Sequence, residues 1–137
     1  MKYYAVIDTN VLVSAMLRYN SVPGYILEHT FVGDIIPLLN MEILKEYRAV
    51  LSRPKFHFEK DKIDTIIDGL LKRGIFVDAE TLDIKLPDPK DAVFYEIVME
   101  QRKTNDAFLI TGNIKHFPIK PYIVTPREML TIIEKVV

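Results

Sequence analysis

In four short segments of the chain an oxygen-bearing side chain stands at the edge of an apolar stretch. Ala5-Val6-Ile7 breaks off at Asp8-Thr9-Asn10, and Glu46 stands inside a stretch of helical periodicity from Asn40 to Ser52. Pro87-Asp88-Pro89-Lys90-Asp91 opens a further helical stretch, and Leu109-Ile110 runs into Thr111-Gly112-Asn113. Carboxylates gathered from such places repel one another. Two of them about 4 Å apart cost about 4 kcal/mol at an effective dielectric of about 20. A third would have to take up a proton unless a cation intervened. Oxygen donors of this kind suit a hard divalent ion, Mg²⁺ or Mn²⁺, rather than zinc or copper. The chain has no cysteine, which excludes disulfides and thiolate metal sites. Its three histidines, His29, His57 and His116, show no ligand spacing and are expected in packing or at the surface.

For these acids to meet, strands must end along one edge with helices beside them, and the hydrophobic period switches accordingly along the chain. Tyr3 to Ile7 reads as a buried strand. Val11 to Leu17 reads as a helix with Val11, Leu12, Ala15 and Met16 on one face. A second helix runs from Pro23, at its first position, to Val32, with Gly33 as the stop. Asp34 to Leu38 is a short strand. Asn40 caps a helix with the stripe Ile43, Leu44, Tyr47, Val50 and Leu51. Ile63, Ile66, Ile67, Leu70 and Leu71 mark another helix, closed by Gly74, and Ile75 to Val77 follows as a strand. A helix from Pro89 to about Glu100 precedes strands at Ala107 to Thr111 and Tyr122 to Val124. Thr125-Pro126-Arg127-Glu128 has the form of a capping box and starts a last helix through Ile133. The pattern predicts an α/β domain whose ligand site lies beyond the carboxyl ends of its strands.

Each acid also has a purely structural explanation. Asp8, Thr9 and Asn10 are alternative caps for the helix that follows. Glu46 falls about 100° from the centre of its helix stripe, on the flank of the buried face, where solvation would suit it equally. Asp88 at the cap and Asp91 at the third position favour a helix start without any chemistry. Asp88 is expected to bond backbone amides, which leaves Asp91 freer. Asp106 precedes the strand Ala107 to Thr111, so it lies roughly 16 Å from the Asn113 end and is read as structural.

The 137 residues predict one domain spanning 1–137, with ordinary globular composition at 49% apolar and 27% charged. Asp8 and Asn10 interrupt the first apolar run too early for a signal peptide, and no run approaches the roughly 18 residues of a membrane span. The expectation is a soluble, cytoplasmic protein with no membrane partner. Net charge is −1, so any contact with nucleic acid must rest on a local basic patch.

Together the segments resemble the PIN-domain family, and within it the toxin components of toxin–antitoxin systems. Asp8-Thr9-Asn10-Val11-Leu12-Val13-Ser14-Ala15 is similar to the opening motif of that group. Glu46 with Val50-Leu51-Ser52-Arg53-Pro54-Lys55 is similar to the second block, and Asp88-Pro89-Lys90-Asp91 to the third. Leu109-Ile110-Thr111-Gly112-Asn113 and Val124-Thr125-Pro126 resemble the fourth block and the closing strand and helix start. The resemblance implies a three-layer α/β/α sandwich around a mostly parallel sheet of four to five strands. It implies a Mg²⁺- or Mn²⁺-dependent endoribonuclease, often a homodimer, inhibited by a small antitoxin protein. Carried over by position, Asp8, Glu46 and Asp91 would be the catalytic, metal-holding acids. Position 113 holds Asn where the family's fourth acid falls, so Asn113 would be a neutral ligand. Thr9, Asn10, Ser14 and Thr111 would support these groups by hydrogen bonds, and Arg53, Lys55 and Lys90 would contact RNA phosphates. Phe56 or Phe58 would stack on bases, or pack a basic turn.

Other α/β readings fit less well. A phosphoacceptor receiver domain wants paired acids after the first strand and a late lysine, which Thr111-Gly112-Asn113 lacks. A haloacid-dehalogenase-type phosphatase needs a second Asp where Asn10 stands. A PIN fold without catalysis, binding RNA or protein, remains open because of Asn113.

Overall fold

Ala5, Val6 and Ile7 are successive residues of the first strand, Tyr3–Ile7 (β1), and none is more than 1% exposed. A strand buried on both faces belongs inside a parallel sheet covered by helices on each side. The computed structural model describes residues 2–135 and has β1 at the centre of such a sheet. Ile35–Leu39 (β2), Ile75–Phe76 (β3), Ala107–Ile110 (β4) and Ile123–Val124 (β5) complete it, in the order β3-β2-β1-β4-β5, with every pairing parallel. The helices are Thr9–Leu17 (α1), Val22–Phe31 (α2), Met41–Leu51 (α3), Lys60–Arg73 (α4), Ala92–Gln101 (α5) and Pro126–Glu134 (α6). The result is the expected three-layer α/β/α architecture. Among the described residues no helix is long and apolar enough to cross a membrane.

Strand order decides where a site can form. From β1 the chain steps outward to β2 and β3, then returns to the other side of β1 as β4. Connections leaving β1 and β4 therefore diverge, and a crevice opens beyond their carboxyl ends. Ile7 pairs with Ile110, and the Asp8 N–H donates to the Ile110 carbonyl at 2.9 Å. Asp8 and Thr111 consequently emerge side by side.

Local chemistry holds the helices that flank this crevice. The Asn40 side chain accepts from the Ile43 N–H at 2.8 Å, and α3 then buries Ile43, Tyr47 and Leu51. The Tyr47 ring lies 6.4 Å from that of Phe94 on α5, and both are buried. α2 stops where Gly33 adopts φ +94, which lets the Gly33 and Asp34 N–H groups reach the Thr30 and His29 carbonyls at 3.3 and 2.9 Å. Thr125 and Glu128 form the expected capping box of α6.

Some boundaries shift from the sequence reading. Ser21 caps α2 by accepting from the Gly24 N–H at 3.2 Å, so Val22 and not Pro23 is the first helical residue. β4 ends at Ile110, which puts Thr111 just outside the strand. The helix expected from Pro89 begins as a 3₁₀ turn, Pro89–Asp91, capped by Asp88, and becomes α-helical at Ala92. Asp91 therefore stands at the capping position of α5, not at its third residue.

A candidate active site at the carboxyl edge of the sheet

Asp8 occupies the residue before α1, where a carboxylate would ordinarily cap the helix, yet its side chain makes no capping hydrogen bond. Instead Asp8 Oδ2 accepts from the Thr111 hydroxyl at 2.7 Å, and the residue is only 5% exposed. Burial pushes the carboxyl up to about 6. The Thr111 bond opposes this, while the charges of Asp91 and Glu46 raise it further. The three acids thus act on one another through space.

Glu46 owes its direction to Tyr47. The Tyr47 ring is fully buried and its hydroxyl donates to the Ile7 carbonyl at the end of β1. Burial holds this phenol well above its usual range, and the charges of Asp8 and Glu46 add to the shift. With Tyr47 anchored to the sheet, the neighbouring Glu46 leans over its edge, and its Oε2 accepts from the Thr9 hydroxyl.

Asp91 comes from the far side. It makes no capping bond to α5, and its Oδ2 lies 3.1 Å from Nδ1 of His116. Burial raises the Asp91 carboxyl; the His116 bond lowers it, and Asp88 and Glu46 raise it further. Asp88 behaves as the cap it resembled, accepting from the Lys90 N–H at 3.0 Å.

Asp8, Glu46 and Asp91 all line one open cleft of about 320 Å³, to which Arg53 and Lys90 bring positive charge. Thr9 and Asn10 line it as well, and Thr111 supports it from behind through Asp8. Other expected members lie elsewhere. Ser14 is exposed on α1 and does not line the cleft, because it sits about 6 Å further along the helix axis than Asn10. Lys55 stands on the 3₁₀ turn Pro54–Phe56, outside the cleft lining, its ammonium 5.1 Å from the Phe56 ring centre. Phe56 and Phe58 are half-buried and stack on each other at 5.6 Å, which favours the packing explanation over base stacking. Asn113 lines a neighbouring depression with Gly112, Ile114, Lys115 and His116, not the acidic cleft. Its main chain serves the site, since its N–H donates to the Thr111 hydroxyl oxygen at 2.9 Å. Asp106 is exposed at the opposite end of β4, 3.9 Å from Arg102, as expected.

His116 is the member that sequence reasoning missed. Searching for histidines at ligand spacing discards it, because it bonds an acid and stands alone in its segment. The available signal was its position three residues after the polar turn at Asn113.

Among the described residues no three Asp, Glu or His side chains make a ready-formed metal cage. The donors are nevertheless all hard oxygens, and one is a buried carboxylate whose ionisation is resisted by burial and by two like charges. That set fits Mg²⁺ or Mn²⁺, which binds through one or two carboxylates and retains water, and does not fit a closed zinc site.

A family model described as PIN domain matches residues 4–115, from β1 to the turn after β4. The chain belongs to the PIN-domain family. PIN domains are generally nucleases and typically use divalent metals. This PIN domain is also similar to an uncharacterized protein of Methanocaldococcus jannaschii, with 28% identity over 116 residues, covering 82% of this chain and 72% of the relative. No solved structure matches the chain.

Proposed function

We propose that this PIN domain is a Mg²⁺- or Mn²⁺-dependent endoribonuclease and the toxin of a toxin–antitoxin module. The observation that carries the reading is the meeting of Asp8, Glu46 and Asp91 in one cleft that also holds Arg53 and Lys90. In this reading Asp8 and Asp91 anchor the cation, and Glu46 orients water or a second ion. When bound, the cation lowers the pKa of a water and offsets the charge that grows on the scissile phosphate. Thr111, Thr9 and His116 keep the three carboxylates in place. Arg53 and Lys90 hold the flanking phosphates, which positions the strand without reading its bases. A cytoplasmic RNA substrate, a homodimer and a small antitoxin complete the proposal and rest on the family resemblance.

Purified protein is incubated with RNA and Mn²⁺, with and without EDTA, beside Asp8→Asn and Asp91→Asn. Each substitution removes one negative charge at nearly constant volume, and cleavage should fall at least ~100-fold. Cleavage that survives EDTA, or that is unchanged in both variants, would rule the mechanism out. RNA retention without cleavage by the wild type would favour a binding module on the same fold.

A further inference from the structure

Ser21, Asn40, Asp88 and Thr125 each cap their own helix through the side chain. Asp91 stands at such a position and makes no bond of that kind. Its carboxylate, 15% exposed, meets instead a ring that is 42% exposed and arrives from the turn after β4. An ionised Asp91 carboxylate only accepts, so in that pairing Nδ1 of His116 carries the hydrogen.

That turn is itself held at both ends. The Thr111 hydroxyl accepts the Asn113 N–H at 2.9 Å while giving its own hydrogen to Asp8 at 2.7 Å. The His116 N–H donates to the Asn113 carbonyl at 2.9 Å. One short segment therefore fixes Asp8 through Thr111 and Asp91 through His116.

We propose that His116 is a positioning residue that holds the Asp91 carboxylate in the orientation needed to bind a divalent cation. The proposal rests on the metal-dependent reading above and gives the fourth segment a task that Asn113 does not perform, since of these two residues lining the neighbouring depression it is His116 that bonds Asp91. An ordinary ion pair at a half-exposed surface would contribute little and would leave metal affinity unchanged. A partner that orients a ligating carboxylate changes affinity by about 10- to 100-fold when removed.

Mn²⁺ binding is measured by titration calorimetry on wild type, His116→Ala, His116→Asn and His116→Gln, with thermal melting and RNA cleavage in parallel. Asn puts a donor nitrogen where Nδ1 stands, and Gln puts one where Nε2 stands. His116→Ala should weaken Mn²⁺ binding at least about 10-fold, while His116→Asn stays within about threefold of wild type. Melting should change little in either, because the ring is half exposed. His116→Gln should resemble Ala, and it supplies the comparison should the Ala variant not fold. Equal Mn²⁺ affinity in wild type and His116→Ala overturns the proposal, as do Asn and Gln variants that bind alike or a wild type that takes up no Mn²⁺. A wild type that cleaves no RNA, with Mn²⁺ affinity still lost in His116→Ala, sinks the nuclease reading and leaves the positioning role in place.

Discussion

Asp8→Asn should make the protein more stable at neutral and alkaline pH. The folded protein holds the Asp8 carboxyl at about 6, against an ordinary value of 3.8. That difference of about two units corresponds to about 3 kcal/mol. The folded state binds this proton more tightly than the unfolded chain does. Below about pH 3 both states are largely protonated and the charge costs nothing. Between about pH 4 and 6 the unfolded chain ionises while the folded one keeps its proton, so stability falls, and it levels off once the folded carboxyl ionises above about pH 6. Asn carries no proton to lose, and its amide oxygen can still accept from Thr111. The stability difference between variant and wild type should grow from about half a kcal/mol at pH 4 to about 3 kcal/mol at pH 8, the latter roughly 10 °C in melting temperature for a chain of this size.

Urea or thermal unfolding of both proteins, in EDTA from pH 4 to 8, measures this directly. Glu46, Asp91, Arg53 and Lys90 share the cleft and His116 faces Asp91, so both absolute profiles are composite. Subtracting one from the other isolates Asp8. A difference that stays flat with pH, or a variant less stable at pH 8, would mean that Asp8 is not a destabilised buried acid. Adding Mn²⁺ should narrow the gap at pH 8, since ligand at 100 times its dissociation constant stabilises by about 2.7 kcal/mol.

Tyr47→Phe should cost about 1–2 kcal/mol in urea unfolding, because the Ile7 carbonyl loses its buried donor; an unchanged midpoint would show that the hydroxyl does not pin α3 to β1. Asn113→Asp should leave the Mn²⁺ concentration for half-maximal cleavage within about threefold of wild type, since the residue lines the other depression. A tenfold tightening in that titration would mean that position 113 faces the ion after all.

The scaffold was legible because it obeys local rules. β1 and β4 are short apolar runs without Gly or Pro, and Asn40, Gly33 and Thr125 punctuate helices as their side chains and backbone freedom dictate. The phase of α3 was equally readable: Tyr47 does stand at the buried centre, and Glu46 does fall on the flank that overhangs the cleft. The segment between β3 and α5 follows no such rule. Its alternation at Leu82, Ile84 and Leu86 is that of a strand, yet they pack against the core without one, and the Leu82 N–H is taken by Glu96 at 2.8 Å.

The site divides along the same line. Whether Asp8 caps a helix or serves a cleft cannot be decided within its own segment, because the two uses require the same residue at the same place. Thr111, 103 residues away, decides it. His116 and Asp91 are 25 residues apart with α5 and β4 between them, so no periodicity links them. Asn113 shows the limit of carrying a role over by position. At φ −119 and ψ 65 it begins a 3₁₀ turn, and what reaches toward the acids is its N–H, through Thr111. A main-chain contribution of that kind does not depend on whether residue 113 is Asn or Asp. Under the proposed reading the fourth segment needs a hydroxyl at 111 and a donor at 116, and Asn at 113 is compatible with a working cleft.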